Sequence, residues 1–537
     1  MTRNILLIIT LLLTAKLFAQ TLDSTNLPII SLNTNFQTIQ DEPKITCDMG
    51  IIYNGVGAKN HITDPFNNYK GKIAIEIRGS SSQGFPKKSY GFETRTALGN
   101  KNDTVLLGMP KEHDWILSAS YTDKTHMRNV LSYKLFTDFG RYATRTRYCE
   151  LVIDGQYQGV YILMERIKQD NSRVNIAKLN TWENAGDSLT GGYIIKIDKN
   201  TGNGGAGWTS PYKPAVSSSG QTIYFQYEYP DADSITAQQQ NYIQQYVDSF
   251  ETALNGPNFA NPITGYAKYC DVNAFIDYFI LNEISANIDG YRLSTYLYKD
   301  KTSKGGKLSI GPPWDYDIAW LNADYCGSPS YTHWAYKFGN YCPGDSWQIP
   351  FWWDRLMQDS NFRDQLKCRW LYLRSNVLSN AYINAYIDST ALNLKEGVAR
   401  NFVLWPILGV YVWPNPSPIP TTYQGEIDRL KNWIALHMGW INANLLGICT
   451  TTSATEFSDT NGISVYPNPS AGKFTVESGV VTIDKAEIFD LMGRRIISAR
   501  ANSYSVSLDI SSHPAGVYIL KIYAGGSFAQ YKIIKAD

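Results

Sequence analysis

Hydrophobic positions along the chain change period part way through. Ile73, Ile75 and Ile77 recur at every second residue, the spacing of a half-buried strand, and the runs at 150–154, 159–164 and 192–198 are short and rich in Val, Ile, Leu and Tyr. Asp154-Gly155 between two of these runs is a hairpin turn signal. Further on the period lengthens. Tyr242, Ile243, Tyr246, Val247, Phe250 and Leu254 fall on one helical face, which stops at Gly256-Pro257. Asp271 is placed to cap a helix over 272–286, and helical patterns also fill 351–378 and 424–445. The pattern therefore predicts a core over 51–447, strand-rich first and helix-rich later. Residues 20–50 are polar and Pro-dotted and read as an exposed lead-in. A Ser/Thr-rich linker over 448–461 precedes a tail, 462–537, in which Tyr504, Val506, Leu508 and Ile510 alternate and further short strands follow at 517–522 and 531–534. That tail is expected to be a small β-sandwich, and no fixed-period repeat is present.

The first residues set the compartment. Arg3, an apolar run at 5–13 and Leu17-Phe18-Ala19 read as a secretory signal peptide over 1–19, with the mature chain from Gln20. No Cys follows the run and no later stretch is long and apolar enough for a transmembrane segment, so a secreted or cell-surface protein is expected. Export permits disulfides among the seven cysteines; Cys326 and Cys342, bracketing a short loop, are the expected pair, and no cluster has zinc-ligand spacing. With 49 Lys plus Arg against 48 Asp plus Glu, the chain has no global field for a nucleic acid or an anionic membrane. Its surplus of Tyr, Trp and Phe suits either large cores or flat surfaces that stack on peptides and sugars.

Two constellations could carry chemistry. In the first, a helix ends near Asn287, Asp289-Gly290 turns the chain, strands over 291–298 and 307–310 form a hairpin, and Trp314-Asp315-Tyr316-Asp317 follows. A hairpin brings its two ends together, so Asp289 and Asp315 become neighbours, able to hold a divalent cation and to accept a hydroxyl proton. The alternative is that Asp289 only closes a turn and Asp317 only caps the next segment. In the second constellation a strand ending at Arg78 runs into Gly79-Ser80-Ser81-Ser82-Gln83-Gly84, with Lys87 and Lys88 beyond. Backbone N–H groups and hydroxyls of such a turn, with Arg78 and a lysine, fit a polyphosphate, although most Gly/Ser turns hold nothing. Asn322 and Asp324 read as loop caps.

The stretches RGSSSQGFPKKSYGFET, WILSASYTDKTHMRN, CELVIDGQYQGVYILMERI, GGYIIKID, DGYRLSTYLYKD and GPPWDYD, spread over 51–447, resemble the spore-coat protein H (CotH) kinase family. The resemblance implies an α+β fold with an atypical protein-kinase-like two-lobed core, using ATP and Mg²⁺ or Mn²⁺ to phosphorylate Ser or Thr of exported proteins. It further implies Asp289 as the catalytic-loop aspartate, Asp315 as a metal-binding aspartate, Lys87 or Lys88 at the phosphates, Met164-Glu165 near the adenine, and Arg128 as a phosphate or structural partner. Protein kinases generally carry Asn five residues after the catalytic Asp; Ser294 stands there, which weakens two-metal coordination unless Asp317 substitutes. The tail, through ISVYPNPSAGKFTV, IFDLMGRRI and GVYILKI, resembles the C-terminal sorting domain of the type IX secretion system of Bacteroidetes-type bacteria. That implies the type IX machinery as a partner. Two other readings remain open: a weak or inactive kinase-like adhesin that binds glycans or proteins through exposed Trp rings, and a glycosidase using Asp289 and Asp315.

Overall fold

The computed structural model describes residues 22–199, 206–217, 220–449, 463–479, 481–490, 494–524 and 527–536. The expected signal peptide and most of the expected linker lie outside the described residues. The chain divides into two compact units, Met1–Gly447 and Ile448–Asp537.

The alternating strands of the first unit close into a seven-stranded barrel. Its strands are β1 (Ile29–Asn33), β2 (Ile45–Ile52), β3 (Tyr69–Arg78), β4 (Ser89–Arg95), β5 (Asp114–Ser118), β6 (Thr146–Ile153) and β7 (Gln156–Glu165), in the spatial order β6-β7-β5-β4-β3-β2-β1. All neighbours are antiparallel except β1 and β6, whose parallel pairing, Ile29 against Glu150, closes the ring. Inward positions such as Ile30, Met49, Ile73, Ile75, Phe92, Trp115, Leu151 and Leu163 fill the interior as one apolar cluster. Asp154 and Gly155 both take positive φ in the β6–β7 turn, as the hairpin signal required. The expected exposed lead-in is corrected here: β1 and most of β2 come from 20–50, and Ile29, Ile30 and Leu32 are fully buried. Their pattern is too short to stand out locally, and their burial exists only because the barrel closes over them.

A second antiparallel sheet, in the order β9-β10-β8-β11-β12, is built from β8 (Tyr193–Ile197), β9 (Gly207–Thr209), β10 (Tyr224–Tyr229), β11 (Thr295–Lys299) and β12 (Ser309–Ile310). It shares one large core with the helices α1 (Arg128–Asp138), α2 (Ala237–Asn255), α3 (Val272–Ser285), α4 (Ser360–Arg374) and α6 (Tyr423–Asn444). Apolar on nearly every side, α3 is buried from Ala274 to its end, with Asp271 accepting the Ala274 N–H at 3.2 Å as its N-cap. The long α5 (Asn380–Leu404), which the hydrophobic pattern did not mark, lays Leu394 and Val398 against Val160 of the barrel wall.

Cys326 and Cys342 form the expected disulfide, with Cα atoms 5.4 Å apart. Cys47, Cys149 and Cys270 are buried thiols, and burial pushes Cys47 and Cys149 up to about 12, which removes them as nucleophiles. In the second unit a three-stranded sheet (Ile463–Tyr466, Lys473–Ser478, Ser505–Asp509) and a four-stranded sheet share a core that includes Phe474, Ile488, Leu508 and Leu520.

Candidate active site

Both acidic arms are set by the C-terminal end of α3 and by α1. Helix α3 stops where Ala286 turns left-handed (φ 42°), and Asn287 Oδ1 then accepts the Asp289 N–H at 3.2 Å. Gly290 is required at the turn: a Cβ there would lie 2.4 Å from Asn282 Oδ1. Arg292, 3% exposed, donates to Asp289 Oδ1 at 2.7 Å while also bonding Ile288 O, Asp345 Oδ1 and Trp347 O. The guanidinium thus fixes how the Asp289 carboxylate points. The strand expected from 291 begins only at Thr295, because Tyr291 (φ 69°) and Ser294 (φ 47°) keep the chain turning.

On the other arm Asp315 has φ 65°, a conformation that costs a non-glycine residue about 1–3 kcal/mol and must be enforced by its surroundings. The enforcing contacts are specific. The Asp315 N–H donates to Tyr133 Oη at 3.3 Å, the Tyr316 N–H to Asn129 Oδ1 at 2.6 Å, and the Tyr316 hydroxyl to Asn282 Oδ1 at 3.0 Å. Asn282 therefore touches both arms. Asp317 accepts from Thr122 Oγ1 at 3.3 Å, and its backbone carbonyl accepts from Asn322 Nδ2 at 2.6 Å.

Asp289, Asp315 and Asp317 come together, and a fourth carboxylate joins them. Asp198, at the end of β8, accepts the N–H of Lys199 at 2.8 Å and the backbone N–H of Ser294. Asp315 is exposed at the surface, while its carboxyl sits among enough protein atoms to be desolvated. Desolvation first, then the charges of Asp317, Asp289 and Asp198, push its carboxyl well above the usual range. Asp317 is raised too, chiefly by desolvation, with Asp123 and Asp289 adding. Asp315 and Asp317 share a hydrogen bond, so this quartet favours either a retained proton or a bound cation.

Cationic groups face this cluster. Arg78, at the end of β3, lies over the Trp314 ring with its guanidinium carbon 5.6 Å from the centroid. Desolvation and the Arg166 charge lower it, while Tyr296 and Asp315 act in the other direction. Arg166, just past β7, approaches Glu228 at 3.8 Å, and Lys196 pairs with the same carboxylate at 3.0 Å. Two guanidiniums within each other's field, beside a surplus of carboxylates, form a dipolar cluster that suits an anion carrying its own cation.

The rest of the expected set divides. Ser80 and Ser81 are exposed on the turn after Arg78, and Gly79 (φ 115°) is needed there, since a Cβ would meet Ser82 Oγ at 2.0 Å. Lys88 braces the same turn from inside, donating to Gln83 O at 2.6 Å and Phe85 O at 2.7 Å. Lys87 is corrected: 2% exposed, it donates to Val160 O at 2.5 Å and Asn401 Oδ1 at 2.9 Å, and burial lowers it to about 7. Glu165 is also corrected. It is fully buried, and its carboxylate accepts from Tyr142 Oη, the Arg145 N–H and Arg145 Nη1, all within 3.0 Å, so it serves the barrel exit. Arg128 is a structural partner, buried and paired with Asp123. Asp198, Arg166, Lys196 and Glu228 were not singled out from sequence; the available signal was a charged residue interrupting or ending an apolar strand. A hollow of about 520 Å³ lined by Asp271, Tyr298, Lys307 and Gln365 lies at the opposite end of α3 and contains none of these groups.

Glu283, in the last turn of α3, ties the Asp289 loop to the disulfide-closed loop: it accepts from Tyr291 Oη at 2.7 Å and from the N–H groups of Ala335 and Tyr336 at 2.8 and 2.9 Å. Burial raises it to about 7. The folded chain then holds a proton that the unfolded chain has released, so this group's contribution to stability is fully present near pH 4 and is lost as pH rises to about 7. Glu283→Gln should therefore gain on the wild type with pH, its melting temperature relative to wild type being higher at about pH 8 than at about pH 5. A difference that stays constant across that range would contradict the assignment.

Residues 75–441 match the protein-family model described as CotH kinase protein, and residues 464–536 match the one described as secretion system C-terminal sorting domain. The inner spore coat protein H of Bacillus subtilis (strain 168) is 23% identical over 248 residues, 46% of this chain and 59% of that protein. The ulvan lyase NLR42 of Nonlabens ulvanivorans is 28% identical over 104 residues, 19% of this chain and 17% of the lyase. The chain thus spans about three fifths of the first relative's length and about a sixth of the second's. Among the described residues no helix is long and apolar enough to cross a membrane.

Proposed function

The chain belongs to the CotH kinase protein family, and on that premise we propose that it is a secreted or cell-surface kinase of atypical, two-lobed kind, transferring the γ-phosphate of ATP to Ser or Thr hydroxyls of exported proteins. The sorting domain at its C-terminus supports delivery to the cell surface or beyond by type IX secretion. One observation carries the reading: Asp198, Asp289, Asp315 and Asp317 converge beside Arg78 and Arg166.

The donor set fits a hard divalent cation, since carboxylate oxygens are the ligands Mg²⁺ and Mn²⁺ prefer. Asp315 and Asp317 would hold it, with Asp198 as the additional carboxylate that compensates for Ser294, whose backbone N–H is itself bonded to Asp198. Bound there, the metal supplies charge neutralisation for the phosphates. Arg78 and Arg166 bind phosphate oxygens, and the exposed turn bearing Ser80 and Ser81 offers N–H groups and hydroxyls from above. Asp289, oriented by Arg292, accepts the proton of the acceptor hydroxyl as that oxygen bonds the γ-phosphorus and the bridging P–O bond breaks to release ADP. Transfer of this kind needs chiefly positioning and electrostatics, which these side chains provide.

The test is direct. Purified protein with Mg²⁺ or Mn²⁺ should melt higher when ATP is added and should transfer label from ATP, and Asp315→Ala should lose both. If wild type and Asp315→Ala melt alike with ATP, the enzyme reading falls and the non-catalytic surface protein takes its place.

A further inference from the structure

Arg292 is held by two separate parts of the chain. Its own turn supplies Ile288 O and the Asp289 carboxylate, which accept from Nε and Nη2 at 2.8 and 2.7 Å. The segment 338–347 supplies three further contacts. The buried Phe338 ring has its centroid 4.0 Å from the guanidinium carbon, and Nη1 donates to Asp345 Oδ1 at 3.2 Å and to Trp347 O at 3.1 Å. A planar cation laid on a ring and hydrogen-bonded along its edges is fixed in orientation, and the Asp289 carboxylate follows it.

That grip depends on where Asp345 sits, and backbone contacts settle its place. The Asp345 N–H donates to Cys342 O at 3.2 Å, Asp345 O accepts from Gln221 Nε2 at 3.1 Å and Gln348 Nε2 at 3.2 Å, and Asp345 Oδ1 also takes the Trp347 N–H at 2.9 Å. Gln348 Nε2 reaches Cys342 O as well, at 2.7 Å. Cys342 is bonded to Cys326, which follows the Asp315 arm in the chain; Asn322, shortly before it, donates to Asp317 O at 2.6 Å. The disulfide is therefore a covalent tie between the chain leaving one acidic arm and the segment that grips the other. A cross-link across a separation of 16 residues removes conformations in which those two stretches part.

We propose that Asp345 is a positioning residue for phosphoryl transfer, acting through Arg292 on Asp289, and that the Cys326–Cys342 disulfide keeps Asp345 in place. This rests on the kinase reading and adds to it a part of the chain outside the acidic cluster on which the rate depends.

Label transfer from ATP with Mn²⁺ to dephosphorylated casein tests it. Asp345→Ala should lower kcat about tenfold or more, with KM for ATP and the ATP-dependent melting shift as in wild type. Asp345→Asn keeps an oxygen that accepts from Arg292 and should keep most of the wild-type rate. The double variant Cys326→Ser, Cys342→Ser should behave as Asp345→Ala does; if it does not fold, Asp345→Ala decides alone, its side chain being 26% exposed. Added to Asp289→Asn, Asp345→Ala should cause no further loss, because its effect passes through a carboxylate that is already gone. Further loss in that combination, or a wild-type kcat in Asp345→Ala, would overturn the proposal. Hydrogen exchange reads the same grip without ATP: amides over 287–294 should exchange faster in Asp345→Ala while the barrel strands keep their wild-type rates. Unchanged exchange there would also overturn it. If wild type neither transfers label nor melts higher with ATP, the kinase reading fails, and faster exchange over 287–294 would still show that Asp345 holds the Asp289 turn.

Discussion

Asp289→Asn should lower phosphoryl transfer by about 10³-fold or more, with ATP-dependent melting retained. Asn is isosteric and can still accept from Arg292 through its amide oxygen, so the loop keeps its shape. What it loses is the capacity to take a proton. Without a base the attacking hydroxyl must shed its proton to water at a site already crowded with negative charge, the situation the quartet of carboxylates creates. On the proposed reading Asp315→Ala acts on an earlier step, removing a proposed cation ligand and with it the nucleotide. The two variants therefore separate: one binds and does not transfer, the other does neither. Parallel measurement of label transfer and ATP-dependent melting distinguishes them, and an Asp289→Asn enzyme within about tenfold of wild type would remove Asp289 from its role.

Asp123→Ala should destabilise the first unit by about 3–5 kcal/mol, among the largest effects a single substitution produces. The Arg128 guanidinium is 2% exposed and pairs with Asp123, whose other oxygen accepts the Arg128 N–H at 2.8 Å and so caps α1. Arg128 Nε also donates to Trp320 O at 3.2 Å. Removing the carboxylate leaves the buried cation with that carbonyl and Thr125 Oγ1, at 3.3 Å, as hydrogen-bond partners, and with the Glu426 carboxylate in its field. Arg128→Met added to Asp123→Ala should recover part of the loss, because the buried cation left without its hydrogen-bonded carboxylate is gone. Denaturant midpoints of the two single variants and the double variant give the coupling. Additive losses would show that the pair is not the source of the effect. Since α1 also carries Asn129 and Tyr133 to the Asp315 arm, the destabilised protein should lose ATP-dependent melting before it unfolds globally.

Both variants touch residues whose legibility differed. Asp289 and Asp315 could be paired from sequence because a hairpin joins them and a hairpin's ends must meet, even though the strand proved shorter than its pattern. Lys87 misled for a physical reason: a charge next to a small-residue turn looks like an anion contact, but in the irregular segment before β4 the two neighbouring lysines take different partners. Lys87 goes into the wall beneath α5, where Asn401 receives it, and Lys88 toward the turn. Glu165 ends a strand, and its partners Tyr142 and Arg145 come from the segment entering β6, a pairing set by barrel register. Asp198 and Arg166 lie far from the hairpin in sequence, and no local spacing connects them to it.

By itself the sequence determined what depends on near neighbours: strand and helix periods, the hairpin turns, the capped helices, the Cys326–Cys342 loop and the motifs that carry the family. Each follows from residues a few positions apart, where backbone geometry leaves few options. Only the tertiary structure decided that 20–50 closes a barrel and that Asp198 and the two arginines complete the cluster. Those outcomes depend on contacts across hundreds of residues, where the same local pattern is compatible with many partners and burial and charge pairing select one.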